Sequence, residues 1–207
     1  MISRNLFVLA SFVILAACGG GSSNNNKQNP VVNAAPTVNA GIDATIRLPA
    51  DSVALDGTVT DDGQPAGAVV STAWTVSSGP AGATFADANA IDTTVTFVTE
   101  GTYVLTLTAD DTALQGSDTV QIIVEAAPAL AVVSVAPATV SLLTGGTQTF
   151  SASGTDQYGD SIAVTATWSA TGGMIDAAGD YTAGAVPGDF TVTATDGAVI
   201  GTADVTF

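Results

Sequence analysis

Short runs in which polar and apolar residues alternate are the feature of this chain that most restricts its fold. From Pro36 onward these runs are rich in Thr and Val, and Gly, Asp and Pro interrupt them. Because every second residue of a strand lies on the same face, each run places its apolar side chains on one side of a sheet. No apolar stripe with the helical period of about 3.6 residues accompanies them. The pattern predicts an all-β protein made of β-sandwiches.

Seven strands are expected between residues 36 and 126. They are placed at 36–39, 44–48, 52–60, 70–77, 93–98, 103–109 and 118–125. The side chains predicted to point inward are those of Val53, Leu55, Val59, Trp74, Val76, Val95, Phe97, Tyr103, Leu105, Leu107, Val120, Ile122 and Val124. A core tryptophan and an aromatic residue that opens a late strand are typical of the immunoglobulin-like sandwich.

The segment from Ala35 to Ala126 resembles a PKD-type domain. The resemblance rests on the stretches APTVNAGIDATIRLPADSVALDGTVTDDG, AWTVSSGP, EGTYVLTLTADD and SDTVQIIV. It departs from the family at residues 74–80, where WTVSSGP stands in place of the common W-D-F-G-D-G. The resemblance implies an immunoglobulin-like sandwich that serves as a spacer, an adhesion module or a contact surface for carbohydrate or protein.

A second set of alternating runs covers residues 130–207, after a short connector that begins at Ala127. Its stretches VSVAPATVSLLTGGTQTFSASGTDQYGD and ATWSATGGMIDAAGDYTAGAVPGDFTVTATDG resemble the bacterial Ig-like group 2 family. A second immunoglobulin-like sandwich is therefore expected directly after the first, which occupies residues 36–126. The side chains expected in its core are those of Phe150, Ala152, Trp168, Phe190, Val192, Ala194, Ala203, Val205 and Phe207.

The first 17 residues have the features of a signal peptide. Arg4 precedes an apolar run from Leu6 to Leu15 that is broken only by Ser11, and this run is too short to span a bilayer as a helix. The run ends in Leu-Ala-Ala-Cys at residues 15–18, which resembles the lipobox of bacterial lipoproteins. The resemblance implies cleavage before Cys18 and acylation of its sulfur and new amine. The alternative is an ordinary secretory signal with an incidental cysteine.

Residues 18–35 are expected to be the lipidated cysteine followed by a flexible tether. The stretch is rich in Gly, Ser and Asn and has almost no apolar residue before Val31, so it cannot bury enough surface to offset the entropy of ordering. Gly19 stands where an aspartate would favour retention in the inner membrane of enteric bacteria. The resemblance therefore implies a lipid anchor in the cell envelope, at the outer membrane.

Charge and residue types exclude several functions. The 207 residues contain 3 Lys and Arg, 19 Asp and Glu and no His, so loss of Arg4 with the leader would leave 2 − 19 = −17. Such a charge repels phosphate backbones, which excludes nucleic acid as a partner. With the only cysteine committed to lipid and no histidine, a Ser or Thr nucleophile has no evident base. We predict no enzymatic activity.

Loop carboxylates are the candidate metal ligands. In an immunoglobulin-like sandwich the B–C and F–G loops lie at the end where the chain enters, so acidic residues of those loops come together. One expected group is Asp61, Asp62, Asp110 and Asp111, and the other, at the junction of the two domains, is Glu125, Asp156, Asp160 and Asp196. Clustered oxygen ligands suit Ca²⁺. The alternative is that Asp next to Gly simply forms turns.

Two functions fit this organisation. One is a non-enzymatic, lipid-anchored envelope protein that presents two Ig-like modules for adhesion or for binding protein or carbohydrate. The other is a passive stalk or spacer subunit of an envelope assembly. Tyr158, in the loop DQYGD, is the candidate for a ligand contact, because the other aromatic side chains largely have expected places in the cores. Packing of Tyr158 on its own domain is the alternative.

Overall fold

A computed structural model of the protein describes residues 32–207. Within this range the chain forms nineteen β-strands and two separate hydrophobic cores, and it contains no helix that could cross a membrane. Residues Asn33–Phe207 form one compact unit. The predicted signal peptide, Cys18 and most of the tether lie outside the described residues. The all-β fold with two sandwiches in tandem is confirmed.

The first sandwich contains nine strands in three sheets. The strands are β1 (Thr37–Asn39), β2 (Ala44–Arg47), β3 (Ser52–Leu55), β4 (Thr58–Thr60), β5 (Ser71–Ser78), β6 (Ala83–Phe85), β7 (Thr93–Phe97), β8 (Gly101–Asp110) and β9 (Gln115–Glu125). The main sheet has the order β2-β9-β8-β5, opposite a sheet of order β3-β7-β6 and the short pair β1-β4. All pairs are antiparallel except β2 with β9, which run parallel.

The core between these sheets is formed by the alternate residues that the sequence indicates. Tyr103, Leu105 and Leu107 of β8 are fully buried. Val95 and Phe97 of β7 are at most 1% exposed. The polar atoms of the buried aromatic residues have partners, since the Tyr103 hydroxyl donates to the Thr99 carbonyl at 2.8 Å. The Trp74 indole N–H likewise donates to the Ile91 carbonyl at 3.0 Å. Burial of these two residues therefore leaves no polar group unpaired.

The structure corrects three details of the expected strands. The run 52–60 is not one strand, because the chain crosses from the β3 sheet to the β1-β4 pair at Gly57. A Cβ at this position would lie 2.9 Å from Leu107 Cδ2, so the crossing packs directly on the core. Val76 is 39% exposed and not buried as expected, although it pairs with the buried Leu105, because it lies near the end of the edge strand β5. The short strand β6 was not predicted.

The second sandwich contains ten strands, also in three sheets. The strands are β10 (Leu130–Ala136), β11 (Thr139–Ser141), β12 (Thr147–Thr149), β13 (Ser151–Asp156), β14 (Ser161–Ile162), β15 (Thr167–Ala170), β16 (Met174–Ile175), β17 (Asp180–Thr182), β18 (Asp189–Asp196) and β19 (Val199–Thr206). The sheet orders are β11-β19-β18-β15, β10-β13-β14 and β12-β17-β16. Parallel pairing of β11 with β19 repeats the arrangement of β2 with β9.

The core of the second sandwich contains one large residue that the sequence did not indicate. Tyr181 is 1% exposed and packs edge-on against Phe150, with ring centroids 6.1 Å apart. It was missed because β17 has only three residues, too few for alternation to be visible. Trp168 is half-buried against this core, and Phe207 stacks on Phe190 at 4.6 Å. The prediction that Phe207 packs in the second sandwich is therefore confirmed.

Truncation of Trp74 tests the core of the first sandwich. Trp74→Ala should lower the free energy of unfolding by about 3–5 kcal/mol, because it removes a buried ring and leaves a cavity. The measurement is chemical denaturation of the purified protein. Val76→Ala, on the same strand but exposed, is the matched control and should change stability by less than about 1 kcal/mol. Equal effects of the two substitutions would contradict the burial of Trp74 in the first core.

Candidate functional site: acidic loops and the domain junction

Two acidic loops lie at the end of the first sandwich where the chain enters. The Asn33 side-chain amide donates to Asp111 Oδ2 at 3.1 Å, and the Ala34 amide donates to Asp62 Oδ2 at 3.0 Å. The loop after β4 and the loop after β8 are therefore both held by the last residues of the predicted tether. This placement agrees with the expectation from the immunoglobulin-like fold.

Most carboxylates of these loops accept hydrogen bonds from their own turns. Asp61 accepts the Gly63 amide and Asp62 the Gln64 amide, each at 2.9 Å. Asp110 accepts the Thr112 amide at 2.6 Å and, through its second oxygen, the Gln115 side-chain amide at 2.7 Å. A carboxylate that bonds the amide two residues ahead is the usual Asx turn. These aspartates therefore shape the loops.

Asp111 differs from the others because its side chain is completely buried. Its Oδ1 accepts the amides of Ala113 and Leu114 at 2.8 and 2.7 Å, while Oδ2 faces Asn33. These donors, first the Leu114 amide, lower the pKa of Asp111 against the opposing effect of burial. Thr112, between the anchored residues, has φ +80°, which is rare for a β-branched residue. Asp111 thus holds a strained loop as a buried, ionised carboxylate.

The lowered pKa of Asp111 predicts acid sensitivity of the first sandwich. A carboxylate whose pKa falls on folding contributes stability above its unfolded pKa, near 3.8, and this contribution is lost as the pH falls through the folded value. Asp111→Asn should lower the melting temperature at neutral pH, and the difference from wild type should shrink at about pH 3. Asp51→Asn, an exposed carboxylate of the same sandwich, is the control. A difference that is independent of pH would contradict this role.

A second cluster lies where the two sandwiches meet, and Arg47 is at its centre. Arg47 Nε lies 2.9 Å from Glu125 Oε2 of its own sandwich, and Nη1 lies 3.2 Å from Asp160 Oδ2 of the other. The guanidinium carbon also lies 3.6 Å from the ring centroid of Tyr158. Parallel pairing of β2 with β9 sets Arg47 opposite Glu125. The hydrogen bond to Glu125 is the main cause that raises the pKa of Arg47 above its ordinary value.

The loop 156–160 also binds the connector between the sandwiches. The Tyr158 hydroxyl donates to the Ala126 carbonyl at 2.9 Å. The Gln157 side chain donates to the Ala127 carbonyl and accepts the Ala129 amide, both at 2.8 Å. Tyr158 is therefore half-buried in the junction and contacts the first sandwich as well as its own loop. Its role as a ligand contact stays a prediction.

The structure brings together only part of the acidic group predicted at the junction. Glu125 and Asp160 meet, but at Arg47. Asp156 is buried in its own loop, where Oδ1 accepts the amides of Tyr158 and Asp160, and Asp196 accepts the Thr165 amide at 2.7 Å. Among residues 32–207 no group of three or more His, Cys, Asp or Glu is arranged to hold a metal ion. The geometry lends the calcium sites no support, and they stay a prediction.

Two open depressions lie on the surface of the second sandwich. One, of about 400 Å³, is lined by strand residues that include Asp189, Asp204 and Thr206. Thr206 Oγ1 donates to Asp189 Oδ1 at 2.8 Å, which links the neighbouring strands β18 and β19. The other, of about 320 Å³, is lined by residues that include Met174 and Asp180.

The protein defined by these features is an all-β tandem of sandwiches, and its first sandwich matches a known family. Residues 40–124 match the family described as "K319L-like, PKD domain", so a PKD-type domain is present. The mouse (Mus musculus) "Dyslexia-associated protein KIAA0319-like protein" is 42% identical over 97 residues. Those residues are 46% of this chain and 9% of the mouse protein, so the chain spans only a small part of that relative's length.

Solved structures of similar chains include single and tandem sandwiches. The PKD domain from the KIAA 1837 protein is 35% identical, covers 46% of this chain and 92% of its own, and gives a TM-score of 0.38. Titin domains z1z2 in complex with telethonin are 14% identical over 84% of this chain and 96% of that chain, with a TM-score of 0.47. The S-layer protein rSbsC(31-844) is 24% identical over 73% of this chain and 23% of that chain, with a TM-score of 0.43.

Proposed function

We propose that this protein is a non-enzymatic, lipid-anchored component of a bacterial cell envelope that presents two Ig-like modules for adhesion or for binding protein or carbohydrate. The observation that supports this most is the presence of two complete hydrophobic cores in series, the first of which matches a PKD family. Domains of these families typically serve as extracellular modules without catalysis. The resemblance of residues 130–207 to bacterial Ig-like domains supports the same role.

Attachment through Cys18 is the part of this proposal that comes from the sequence. The apolar run and the Leu-Ala-Ala-Cys stretch support cleavage by a lipoprotein peptidase, and acylation with more than one chain would give stable anchoring. The last residues of the tether that follows include Asn33 and Ala34, which are bonded to the loops of the first sandwich. An anchored chain of this kind would present the loops near Asp62 and Asp111 towards the membrane and the second sandwich away from it.

A stalk or spacer subunit is the second candidate, and the junction favours it. The connector residues Ala126, Ala127 and Ala129 are all bonded to the loop of the second sandwich. Relative motion is the default for tandem domains without a large interface, and hydrogen bonds to the connector restrict that motion. A protein whose task is to hold something at a fixed distance would need them.

Lipidation is tested at Cys18. Cys18→Ser should abolish labelling with palmitate and release the protein from the membrane fraction, because serine cannot form the thioether. Ser11→Ala changes the apolar run but keeps the lipobox, and it should label as wild type does. Identical labelling and fractionation of wild type and Cys18→Ser would show that the cysteine is incidental.

Binding is tested with the soluble chain that begins at Gly19. A binding module should give saturable binding to one class of glycan or to an extracellular protein on an array, whereas a stalk should bind none of them. The same protein with Trp74→Ala, which damages the first core, is the control for non-specific adsorption. Signals that Trp74→Ala leaves unchanged would assign binding to the second sandwich or to adsorption, and a Trp168→Ala variant separates these two.

A further inference from the structure

The junction contains the only Lys or Arg of the described residues. Of the three basic residues in the sequence, Arg4 and Lys27 precede residue 32, while all 19 acidic residues follow it. Residues 32–207 therefore carry 1 − 19 = −18, and the single positive charge stands between the two sandwiches. A lone cation in so acidic a chain has many possible partners. Its position between Glu125 and Asp160 is a specific feature of the fold.

We propose that Arg47 is the built-in counter-ion of the junction, which fixes the second sandwich on the first by joining Glu125 to Asp160 against the ring of Tyr158. This role of Arg47 goes beyond the proposed function, because the bridge sets the relative orientation of the two modules whether they bind a ligand or act as a spacer. Arg47 is a positioning residue.

The contacts of Arg47 use the properties in which arginine differs from lysine. The planar guanidinium donates from Nε to Glu125 and from Nη1 to Asp160, two directions that one ammonium group cannot reproduce with the same geometry. Its flat face lies at 3.6 Å from the Tyr158 ring centroid, within the range of a cation–π contact. Exposed ion pairs are weak one at a time, but here three contacts converge on one group.

The surrounding hydrogen bonds hold the partners of Arg47 in place. Asp156 Oδ1 accepts the amides of Tyr158 and Asp160, which fixes the loop that carries both contact residues. The Tyr158 hydroxyl is bonded to Ala126, one residue after Glu125. On the other side, Arg47 ends strand β2 directly opposite Glu125. The two carboxylates are thus each positioned by their own sandwich, and the Arg47 side chain bridges them through charge.

The geometry also explains how carboxylates from two domains can meet without a bound cation. Two negative groups at a junction repel each other unless a positive charge lies between them. The guanidinium of Arg47 occupies that place, so the orientation of the sandwiches should not depend on divalent ions. This expectation is opposite to that of the calcium hypothesis for the same loops.

The test measures the distance between the sandwiches in solution. Spin labels are attached at cysteines that replace the exposed residues Val69 and Leu143 in the soluble chain from Gly19, which has no other cysteine. With the wild-type junction, the distance between the two spin labels should have a narrow distribution. Arg47→Met should broaden it at least about twofold, because relative motion is the default for domains with a small interface. Arg47→Lys should give an intermediate width.

Matched variants separate the bridge from general charge effects. Asp160→Asn removes a partner of Arg47 and should broaden the distribution, whereas Asp204→Asn removes the same charge from the exposed face of β19 and should not. Melting of each variant checks that both sandwiches remain folded. A distribution for Arg47→Met as narrow as that of wild type, or equal broadening by Asp160→Asn and Asp204→Asn, would overturn the proposal.

Divalent ions supply the remaining arm of the test. The wild-type distribution should be the same with a chelator and with about 10 mM Ca²⁺, a concentration well above the ~10⁻⁴ to 10⁻³ M affinities of extracellular calcium modules. Mg²⁺ at equal ionic strength is the control for screening. A wild-type distribution that narrows with Ca²⁺ but not with Mg²⁺ would show that a metal ion, and not Arg47, sets the orientation.

Discussion

Parallel pairing of β2 with β9 is the constraint on which much of this structure depends. It places β2 at one edge of the main sheet of the first sandwich, and β8 and β5 follow β9 as antiparallel strands on the other side. Its register also sets Arg47 opposite Glu125, at the last residue of both strands. The strand that closes the sheet therefore delivers the only basic side chain of residues 32–207 to the second sandwich. A shift of one residue would turn Arg47 to the other face.

Carboxylates in this acidic protein act mainly on their own backbone. Asp61, Asp62, Asp110 and Asp156 each accept an amide two residues ahead, and Asp111 does so while completely buried. A carboxylate that caps a turn contributes to loop shape by a charge-assisted hydrogen bond. The large negative charge of the chain is thus in part the result of using aspartate repeatedly as a turn residue. It does not require a metal ion for its explanation.

The sequence predicts the fold well because apolar and polar residues alternate visibly along every long strand. The inward residues of β8 and β9, such as Leu105, Leu107 and Val120, are all buried as expected. Prediction fails where strands are short or leave the sheet, as at Gly57 and in β17 with Tyr181, because two or three residues carry too little periodicity.

The candidate site could be only partly predicted, for a different reason. The positions of the acidic loops follow from the topology of the fold, but their partners do not. Arg47 and Asp160 are separated by 113 residues, and their meeting depends on the angle between two domains. An arginine at the end of an edge strand gives no local signal of this role. Tyr158 stands out in the sequence only because it has no expected place in a core.

The hydrogen bonds across the connector have a consequence for how the protein can be divided into fragments. A boundary drawn after Ala126 would give two pieces with intact cores, yet each would carry half of the junction. The first would retain Arg47 and Glu125 with one face of the guanidinium uncovered, and the second would retain Tyr158 without the carbonyl that its hydroxyl bonds. Isolated modules would therefore present surfaces that the intact chain conceals, and contacts observed with them need not exist in the whole molecule.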